Sequence, residues 1–428
     1  MRPSPMVRPP QPTHETLPTH KQPSTGKRFY VTRIEHPNEV VYAENVLEYL
    51  ALTGVPATEI VMNPDGAYRS ELEQCLQPDT LGVLGTNWHL DHSCCGNQIF
   101  LQAAAAAGVP VIQWILDHPS SRWPHFTATN ADNSRFLFLS AFSEAYFRRF
   151  IIPECRSGWT VGTGPSRHSR VNQLTRRDFL ARDILCILPL NVKRLGGTLA
   201  HVESRLAMLP GNLQRAVNDG IAAAQNDLQH PIERHFFDGS PPPDLLDTAG
   251  EMHQCIQIIE EIVQIRRRLG VFKIASEFPV LLQSDIASEY LDNFSAAAYE
   301  SGVSMTETLV RMRCARAVVS LTHINDEIHN RTLNGLNAGA VNIIEDTPAH
   351  REFFTHGDNA LLFRYGDDSL RECLELVCSD PSRAYDIALA GAALKDDPQL
   401  RFGGFDNLLR LSEPAPSDQP HPVEIHSF

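Results

Sequence analysis

The chain alternates short apolar segments of strand length with segments of helical periodicity, and this alternation limits the fold more than any other feature of the sequence. Apolar residues recur at helical spacing over residues 43–52, and a second helix is expected over 96–107. Strands are expected around these helices over residues 29–34, 60–62, 81–84, 109–116 and 135–139. Strands that alternate with helices are joined by right-handed crossovers and therefore form a parallel sheet.

The second half of the chain repeats this alternation. Strands are expected over residues 184–190, 278–282, 317–321, 340–344 and 360–363. Helices are expected over about 198–228, 248–268, 368–379, 382–394 and 398–411. We therefore predict the α/β class, with two doubly wound, Rossmann-like domains that face each other across a cleft.

Local composition indicates where the domains begin and end. Residues 162–169 (GTGPSRHS) are rich in Gly, Pro and Ser, which is typical of a linker, and both ends of the chain are rich in proline. The predicted organisation is a disordered leader over 1–28, an N-terminal domain over 29–165, a C-terminal domain over 166–395, a final helix over 396–411 that can cross back to the N-terminal domain, and a disordered tail over 412–428.

Overall composition excludes several classes of protein. With 42% hydrophobic residues the chain can bury cores, which a disordered or fibrous chain cannot. A net charge of −14 argues against a general nucleic-acid binder, because such proteins neutralise phosphates. The nine cysteines include no Cys-x-x-Cys pair, the N-terminus has no apolar signal segment, and Gly108 and Pro110 interrupt the longest apolar stretch. We therefore expect a cytoplasmic protein with reduced thiols and no integral membrane segment.

The most informative segment follows the strand expected at 317–321. A polar loop leads into a helix over about 328–338. The start of this helix carries His329, Asn330 and Arg331. A helix start supplies free N–H groups and a positive dipole end, and Arg331 adds a fixed charge, so the segment suits a diphosphate. Glu345 and Asp346 end the next strand, where carboxylates can accept hydrogen bonds from sugar hydroxyls.

The same residues have a purely structural interpretation. Asn325 or Asp326 can cap the helix, and Glu327 can pair with Arg331, without any ligand. The two interpretations remain open at this point.

A second pair of cations follows the strand expected at 184–190. Lys193 and Arg194 precede Gly196 and Gly197, a pair that lets a backbone approach a ligand closely. The two cations can bind the same diphosphate, or they can form a solvated basic loop.

The segment 316–365 resembles the C-terminal signature of the CgeB-like glycosyltransferases, which have the GT-B fold and are related to glycosyltransferase families 1 and 4. The shared pattern is a His-x-Arg-like element, a short helix that ends in Ala-Gly-Ala, an acidic residue after the next strand and a Phe-x-x-Gly stretch, here at 329–331, 337–340, 345–346 and 354–363. Residues 108–119 are similar to the family's Gly-hydrophobic-Pro, Trp and Asp-x-Pro element. The resemblance implies a metal-independent glycosyltransferase without a cofactor, whose donor is a UDP-, GDP- or dTDP-sugar.

The sequence departs from the pattern of many retaining GT-B enzymes, which carry two glutamates eight positions apart near this helix. The corresponding residues here are Asp326 and Asn334. An amide at position 334 can hydrogen-bond a ribose hydroxyl, but it carries no charge. We expect Asn334 to bind the donor, and the nucleotide and the stereochemical course stay open.

The candidate for acid–base chemistry lies in the first half of the chain. Asp117 and His118 follow the apolar strand at 109–116 directly, and either can deprotonate an acceptor hydroxyl. Asp91, within the polar stretch 87–92 (NWHLDH), is the next candidate. A rigid structural loop is the alternative at Asp117, and a metal site is a minor alternative near Asp91 because the spacing matches no common zinc set.

These observations predict a glycosyltransferase that moves a sugar from a nucleotide-sugar in the C-terminal domain to an acceptor (a protein, glycan or small molecule) beside the N-terminal domain. One alternative is a non-catalytic nucleotide-sugar-binding or scaffold protein with a degenerate GT-B fold, which Asn334 favours and which Arg331 and Asp117 oppose. A further alternative is a nucleotide-sugar epimerase of the same architecture. None of these functions requires a nucleic-acid partner.

Overall fold

The computed structural model describes residues 26–62, 74–86, 98–126, 134–190, 199–225, 227, 230–238, 249–284, 298–322 and 327–413. The predicted leader and tail lie outside the described residues except at their inner ends, where both predictions were wrong. Arg28 opens the first strand, and its backbone N–H donates to the carbonyl of Asp79 at 2.8 Å. Ser412 is the buried last residue of a helix.

The first half of the chain forms a parallel sheet of six described strands in the order β2-β1-β3-β4-β5-β6. The strands are β1 (Arg28–Ile34), β2 (Ala57–Met62), β3 (Thr80–Thr86), β4 (Val111–Ile115), β5 (Ser134–Phe138) and β6 (Arg156–Trp159). The helices that connect them are α1 (Pro37–Leu52), α2 (Gln98–Ala106), α3 (Trp123–Phe126) and α4 (Ala141–Phe150). All residues of β4 and β5 are buried, as expected for strands covered on both faces.

The second half forms another parallel sheet of six described strands in the order β12-β11-β10-β7-β8-β9. The strands are β7 (Ile184–Pro189), β8 (Val280–Gln283), β9 (Ala298–Glu300), β10 (Ala315–Ser320), β11 (Val341–Glu345) and β12 (Leu361–Phe363). The helices are α5 (Arg176–Leu180), α6 (Leu199–Ala207), α7 (Gly211–Ala224), α8 (Ile232–Asp238), α9 (Ala249–Ala275), α10 (Met305–Cys314), α11 (Asn330–Asn337), α12 (Pro348–Arg351), α13 (Ser369–Ser379), α14 (Pro381–Ala393), α15 (Pro398–Phe402) and α16 (Asp406–Ser412). The predicted α/β class with two doubly wound parallel sheets is confirmed.

Four helices, α6 to α9, follow β7 in the chain and precede β8, and they form a layer of their own. Helices α6, α7 and α8 pack with α9 around a core of their own that includes Val217, Phe236 and Ile259. Tyr146 of α4 belongs to the same core, so this layer also contacts the first half of the chain. The C-terminal part of α9 contributes Val271 and Phe272 to the core of the second sheet. Helix α9 therefore joins the two halves of the molecule.

The last two helices pack on the first sheet. Phe405 of this segment meets Trp114 of β4 edge to face, with ring centroids 5.5 Å apart, and Leu408 and Leu411 extend the same core. The sequence predicted one helix over 398–411, but the structure has two, α15 and α16, with a turn between them. Gly404 adopts φ +79°, and a Cβ there would lie 2.2 Å from the carbonyl oxygen of Trp159, so only glycine fits.

Other differences from the predicted elements have simple causes. The stretch 198–228 forms two helices, α6 and α7, because Pro210 interrupts the backbone ladder as the N-cap of α7. The sequence analysis missed β6 and β9, which have only four and three residues. No helix in the described part of the chain is long and apolar enough to cross a membrane.

Candidate active site at the interface of the two halves

Strands β7 and β10 are neighbours in the second sheet. After β7 the chain adds strands on one side (β8 and β9), and after β10 it adds strands on the other side (β11 and β12). The carboxyl ends of β7 and β10 therefore border the crevice at which such sheets bind ligands. The loop after β7 lies outside the described residues, and it contains Lys193 and Arg194. The loop after β10 is described at Thr322 and again from Glu327 onwards. This second loop leads into α11, whose N-terminal end therefore borders the crevice.

Side chains at both ends fix the position of α11. His329 is its N-cap, and the His329 Nδ1 accepts a hydrogen bond from the Arg331 N–H at 3.1 Å. The structural interpretation in which Asn325 or Asp326 is the N-cap is therefore wrong. Asn330 is the first residue of the helix. At the other end, the Arg182 guanidinium donates to the carbonyls of Ala338 and Gly339 at 2.7 and 2.9 Å. Such contacts satisfy carbonyl groups that a helix terminus leaves free.

Arg331 points into the interface with unused hydrogen-bonding capacity. Its Nη2 lies 3.4 Å from the Nε2 of His329, and its buried Nη1 has no hydrogen-bond partner among the described residues. Burial and the nearby charge of Arg268 lower the pKa of Arg331 to about 9, and Glu327 partly opposes this shift. A buried guanidinium with a free N–H is a site that an anionic oxygen can fill.

Two buried carboxyl groups face Asp117 across the interface. Glu327 precedes α11, and Glu260 lies on α9. Burial first, and then the charge of Asp117, raises the pKa of each glutamate to about 8. Asp117 itself is exposed and lies just beyond the carboxyl end of β4. The fold therefore brings the predicted base of the first half close to Glu327, whose charge also acts on Arg331 in the second half.

His118 forms part of the framework beside this cluster. It caps the short 3-10 turn Pro119–Arg122, and its Nδ1 accepts from the Ser120 N–H at 3.3 Å. Its ring packs against Tyr146, whose hydroxyl in turn lies 2.5 Å from the Nδ1 of His253. Burial, followed by the charge of His253, lowers the pKa of His118 to about 3, so the imidazole is neutral near pH 7.

Asn334 does not face the crevice, which corrects the prediction that it binds the donor. Its side chain is buried, and its Oδ1 accepts from the Ser166 N–H at 2.7 Å and from the Ser169 hydroxyl at 2.9 Å. The amide oxygen is therefore used by the linker at 162–169. Gly162 of that linker approaches α11 so closely that a Cβ would lie 2.9 Å from the carbonyl oxygen of Ile328.

Glu345 is likewise occupied by protein groups, which corrects its predicted role towards sugar hydroxyls. One carboxylate oxygen pairs with the buried Arg267 of α9, and the other accepts from the N–H and the hydroxyl of Thr322 at 2.8 and 2.6 Å. Both side chains of the pair are almost inaccessible. Glu345 therefore attaches β11 to α9 and to the end of β10.

Asp346 follows β11 directly and is paired with two arginines. It accepts hydrogen bonds from Arg351 at 2.5 and 2.8 Å and from Arg364 at 2.9 Å, and these arginines hold its pKa below the usual range. The three residues line an open depression of about 560 Å³ at the ends of β11 and β12. Strand β11 pairs with β10, so this depression opens at the same carboxyl edge of the sheet as the crevice.

Asp91 lies outside the described residues, as do Lys193 and Arg194. Glu260 and Arg268 were not predicted from the sequence as members of the cluster. Their only sequence signal is that each lies at a helical spacing from the other within a long apolar helix, and this gave no reason to place them beside Asp117. Among the described residues, no group of three His, Cys, Asp or Glu side chains is arranged to hold a metal ion.

Comparison with known proteins gives one match to a protein family. Residues 260–396 match the model of a family described as glycosyl transferase-like. Comparison with curated protein sequences finds no match. The family match covers Glu260, Arg268, Glu327 and Arg331, which are the members of the interface cluster contributed by the second half.

Solved structures show only remote similarity. The chain is similar to Anabaena Alr3699/HepE in complex with UDP and glucose, at 11% identity over 90% of this chain and 98% of the other, with a TM-score of 0.46. It is similar to a sucrose-phosphate synthase from Thermosynechococcus elongatus at 12% identity over 90% and 97%, with a TM-score of 0.46. It is also similar to a DNA-modifying β-glucosyltransferase at 6% identity over 90% and 99%, with a TM-score of 0.48. Similarities at this level place no constraint on the reaction.

Proposed function

We propose that this protein is a glycosyltransferase that transfers a sugar from a nucleotide-sugar donor to a hydroxyl-bearing acceptor. One observation carries the proposal: Asp117, at the carboxyl edge of the first sheet, acts on the buried Glu327, and Glu327 in turn acts on Arg331 of the second half. A donor bound between the two edges would have its diphosphate beside a cation and its sugar beside a carboxylate. The glycosyl transferase-like family match over 260–396 supports the proposal.

In this proposal Arg331 and Arg268 bind the donor diphosphate. The unpartnered Nη1 of Arg331 would gain an acceptor oxygen, and a charged hydrogen bond of this kind contributes roughly 1.5–3 kcal/mol. The same charges would stabilise the diphosphate as it leaves, when its negative charge increases. Asp117 would accept the proton of the acceptor hydroxyl as the new C1–O bond forms and the bond from C1 to the phosphate oxygen breaks. A single displacement of this kind inverts the configuration at C1.

The proposed reaction needs neither a cofactor nor a bound metal, and it depends mostly on the positions of the two substrates. The donor class is a UDP-, GDP- or dTDP-sugar, and the acceptor class is a protein, glycan or small molecule. We also propose that the domain limits are 28–165 and 166–395, with Arg28 added to the predicted first domain because it belongs to β1. The linker anchored by Asn334 supports this division, because it runs between the two sheets.

A thermal-shift panel of UDP-, GDP- and dTDP-sugars tests the donor part of the proposal. A ligand at a hundred times its Kd stabilises the native state by about 2.7 kcal/mol, which is easily measured. Arg331→Ala should weaken binding of the best donor by about tenfold or more. Arg371→Ala removes an exposed cation that pairs with Glu277 ahead of β8, so it is the matched control and should leave donor binding unchanged. Unchanged donor binding in Arg331→Ala would contradict the proposal.

Transfer assays with the best donor test the role of Asp117. Asp117→Asn keeps the shape of the side chain and removes its basicity, so transfer should fall by about a hundredfold or more while donor affinity stays near wild type. Tight donor binding with no transfer or hydrolysis by wild-type protein would instead support the binding-protein alternative. An epimerised sugar formed from the donor alone would support the epimerase alternative.

A further inference from the structure

Helix α9 of the second half packs on the segment that directly follows Asp117 in the first half. The helix contacts the 3-10 turn Pro119–Arg122 and the short helix α3 that continues it. Asp117 itself is exposed, whereas His118, Pro119 and Ser120 behind it are buried. The mechanism proposed above gives no role to the side chains that hold this segment in place.

The side chain of His253 on α9 reaches both ends of the segment, one of them through Tyr146. At the near end, the His253 Nδ1 lies 2.5 Å from the hydroxyl of Tyr146, whose ring packs on the His118 ring with centroids 4.6 Å apart. At the far end, the His253 ring stacks on Trp123 with centroids 5.1 Å apart and planes 23° from parallel. Tyr146, His118 and His253 are all buried, so water does not compete for the contact between the hydroxyl and the imidazole.

Local hydrogen bonds make the start of the segment rigid. His118 caps the 3-10 turn, and its Nδ1 accepts from the Ser120 N–H at 3.3 Å and lies 2.7 Å from the Ser120 hydroxyl. The carbonyl of His118 accepts from the Ser121 N–H at 3.0 Å and from the Ser121 hydroxyl at 2.8 Å. Because a single planar peptide bond joins Asp117 to His118, a shift of this turn moves Asp117 with it.

The other end of α9 is anchored at the crevice of the second sheet. Arg267 of α9 pairs with Glu345, and the second oxygen of Glu345 accepts from the N–H and the hydroxyl of Thr322 at the end of β10. His253 and Arg267 are separated by fourteen positions of one continuous helix, which is about 21 Å along its axis. Helix α9 therefore extends from the segment that carries Asp117 to the edge of the crevice.

We propose that Tyr146 and His253 are positioning residues for the transfer reaction: their contact holds the segment after Asp117 against α9 and so sets the position of the Asp117 carboxylate relative to the donor. This inference rests on the proposed function, because it takes Asp117 as the base. Neither side chain touches a substrate. A base must lie within hydrogen-bond distance of the proton that it accepts, so a displacement of about 1 Å can cost about a hundredfold in rate.

Hydrogen exchange followed by mass spectrometry tests the contact without any substrate. Tyr146→Phe removes the hydroxyl and keeps the ring that packs on His118. The backbone amides of residues 117–126 should then exchange faster than in wild type, because one of the two anchors of the segment is lost. Unchanged exchange over residues 117–126 would refute the inference.

Tyr49→Phe is the matched control for this substitution. Tyr49 is buried like Tyr146, but its hydroxyl has no hydrogen-bond partner within the described ranges. Removing that hydroxyl breaks no contact, so residues 117–126 should exchange as they do in wild type. Faster exchange in Tyr49→Phe as well would show that any loss of a buried hydroxyl loosens the segment, which would also refute the inference.

Turnover and donor binding show whether the contact acts on the reaction. The probes are UDP-, GDP- and dTDP-glucose, and release of the nucleoside diphosphate is measured with water as the acceptor. In Tyr146→Phe, kcat should fall by about tenfold to a hundredfold while the Kd of the donor stays near the wild-type value, because the donor site lies on the other half. A merely structural hydroxyl would lower Tm and leave kcat of the folded protein unchanged.

A second substitution checks that the two residues act through one contact. His253→Phe keeps a ring that can stack on Trp123 and removes the Nδ1. The double variant Tyr146→Phe/His253→Phe should lose no more activity than the weaker of the two single variants retains, because residues that act through one bond are not additive. Losses that multiply in the double variant would refute the shared contact.

The possible outcomes separate this inference from the proposed function. Unchanged kcat in Tyr146→Phe, together with loss of turnover in Asp117→Asn, would refute the inference and leave the proposed function standing. A fall in donor affinity as large as the fall in kcat would also refute it. Absence of turnover by the wild-type protein with all three donors would refute the proposed function and the inference with it.

Discussion

Replacing Glu345 by glutamine tests whether this carboxylate supports the fold or binds the donor. In the native protein its two oxygens accept from Arg267 and from both donors of Thr322. Glu345→Gln removes the negative charge and keeps the volume, so the Arg267 guanidinium stays buried without a counter-charge. Breaking a buried ion pair by removing one partner costs about 3–5 kcal/mol.

The neighbouring residue provides the matched control. Asp346 pairs with Arg351 and Arg364, whose side chains are 45% and 69% exposed. Solvent screens such pairs, so Asp346→Asn should cost less than about 1 kcal/mol. The two adjacent substitutions therefore remove the same charge from a pair with a buried arginine and from pairs with exposed arginines. Their difference isolates the effect of burial.

Thermal and urea denaturation followed by circular dichroism measure the two variants. For a domain of 150–250 residues each kcal/mol shifts Tm by about 2–4 °C, so Glu345→Gln should melt roughly 6–20 °C below wild type and Asp346→Asn within a few degrees of it. Adding Arg267→Met to Glu345→Gln should recover part of the loss, because no unpaired charge then remains. Equal melting of the two single variants, with nucleotide affinity lost only in Glu345→Gln, would refute the structural role and restore the donor-binding one.

Two further predictions concern pH and the C-terminal end. Burial lowers the pKa of His253 to about 4, below the value near 6.5 of an exposed histidine. The unfolded chain therefore binds this proton at a higher pH than the native protein does, and stability should fall as the pH drops from about 6.5 to about 4. His253→Gln should reduce this slope of Tm against pH relative to wild type, and an unchanged slope would show that other groups cause it. A chain that ends at Gly404 removes Phe405, Leu408 and Leu411 from the first core, each worth about 1.5–3 kcal/mol, so it should lose most of its stability. A chain that ends at Glu413 should melt like the full-length protein, and equal melting of the two truncated chains would contradict the packing of α16.

The sequence by itself determined the two parallel sheets. Buried parallel strands appear as continuous apolar runs, and helices appear through their 3.6-residue spacing, so the longer elements can be recognised from their own residues. The same local logic located the start of α11 and the end of β4 as places where polar residues meet a carboxyl edge. The C-terminal helix that packs on the first sheet could be proposed but not placed, because its partners Trp114 and Tyr49 lie far away in the chain.

Only the tertiary structure decided which candidate residues meet. Asn334 and Glu345 have the right chemistry for sugar hydroxyls, but their oxygens are used by Ser166 and Arg267, which lie 168 and 78 residues away in the chain. The interface cluster likewise combines Asp117, Glu260 and Glu327 from separate elements. The local sequence pattern indicates whether a residue prefers a buried or an exposed environment. The hydrogen-bond partner of a buried polar group depends instead on how distant segments of the chain pack. That is why the sequence identified Arg331 and Asp117 as candidates, and why only the fold brought them to the same interface.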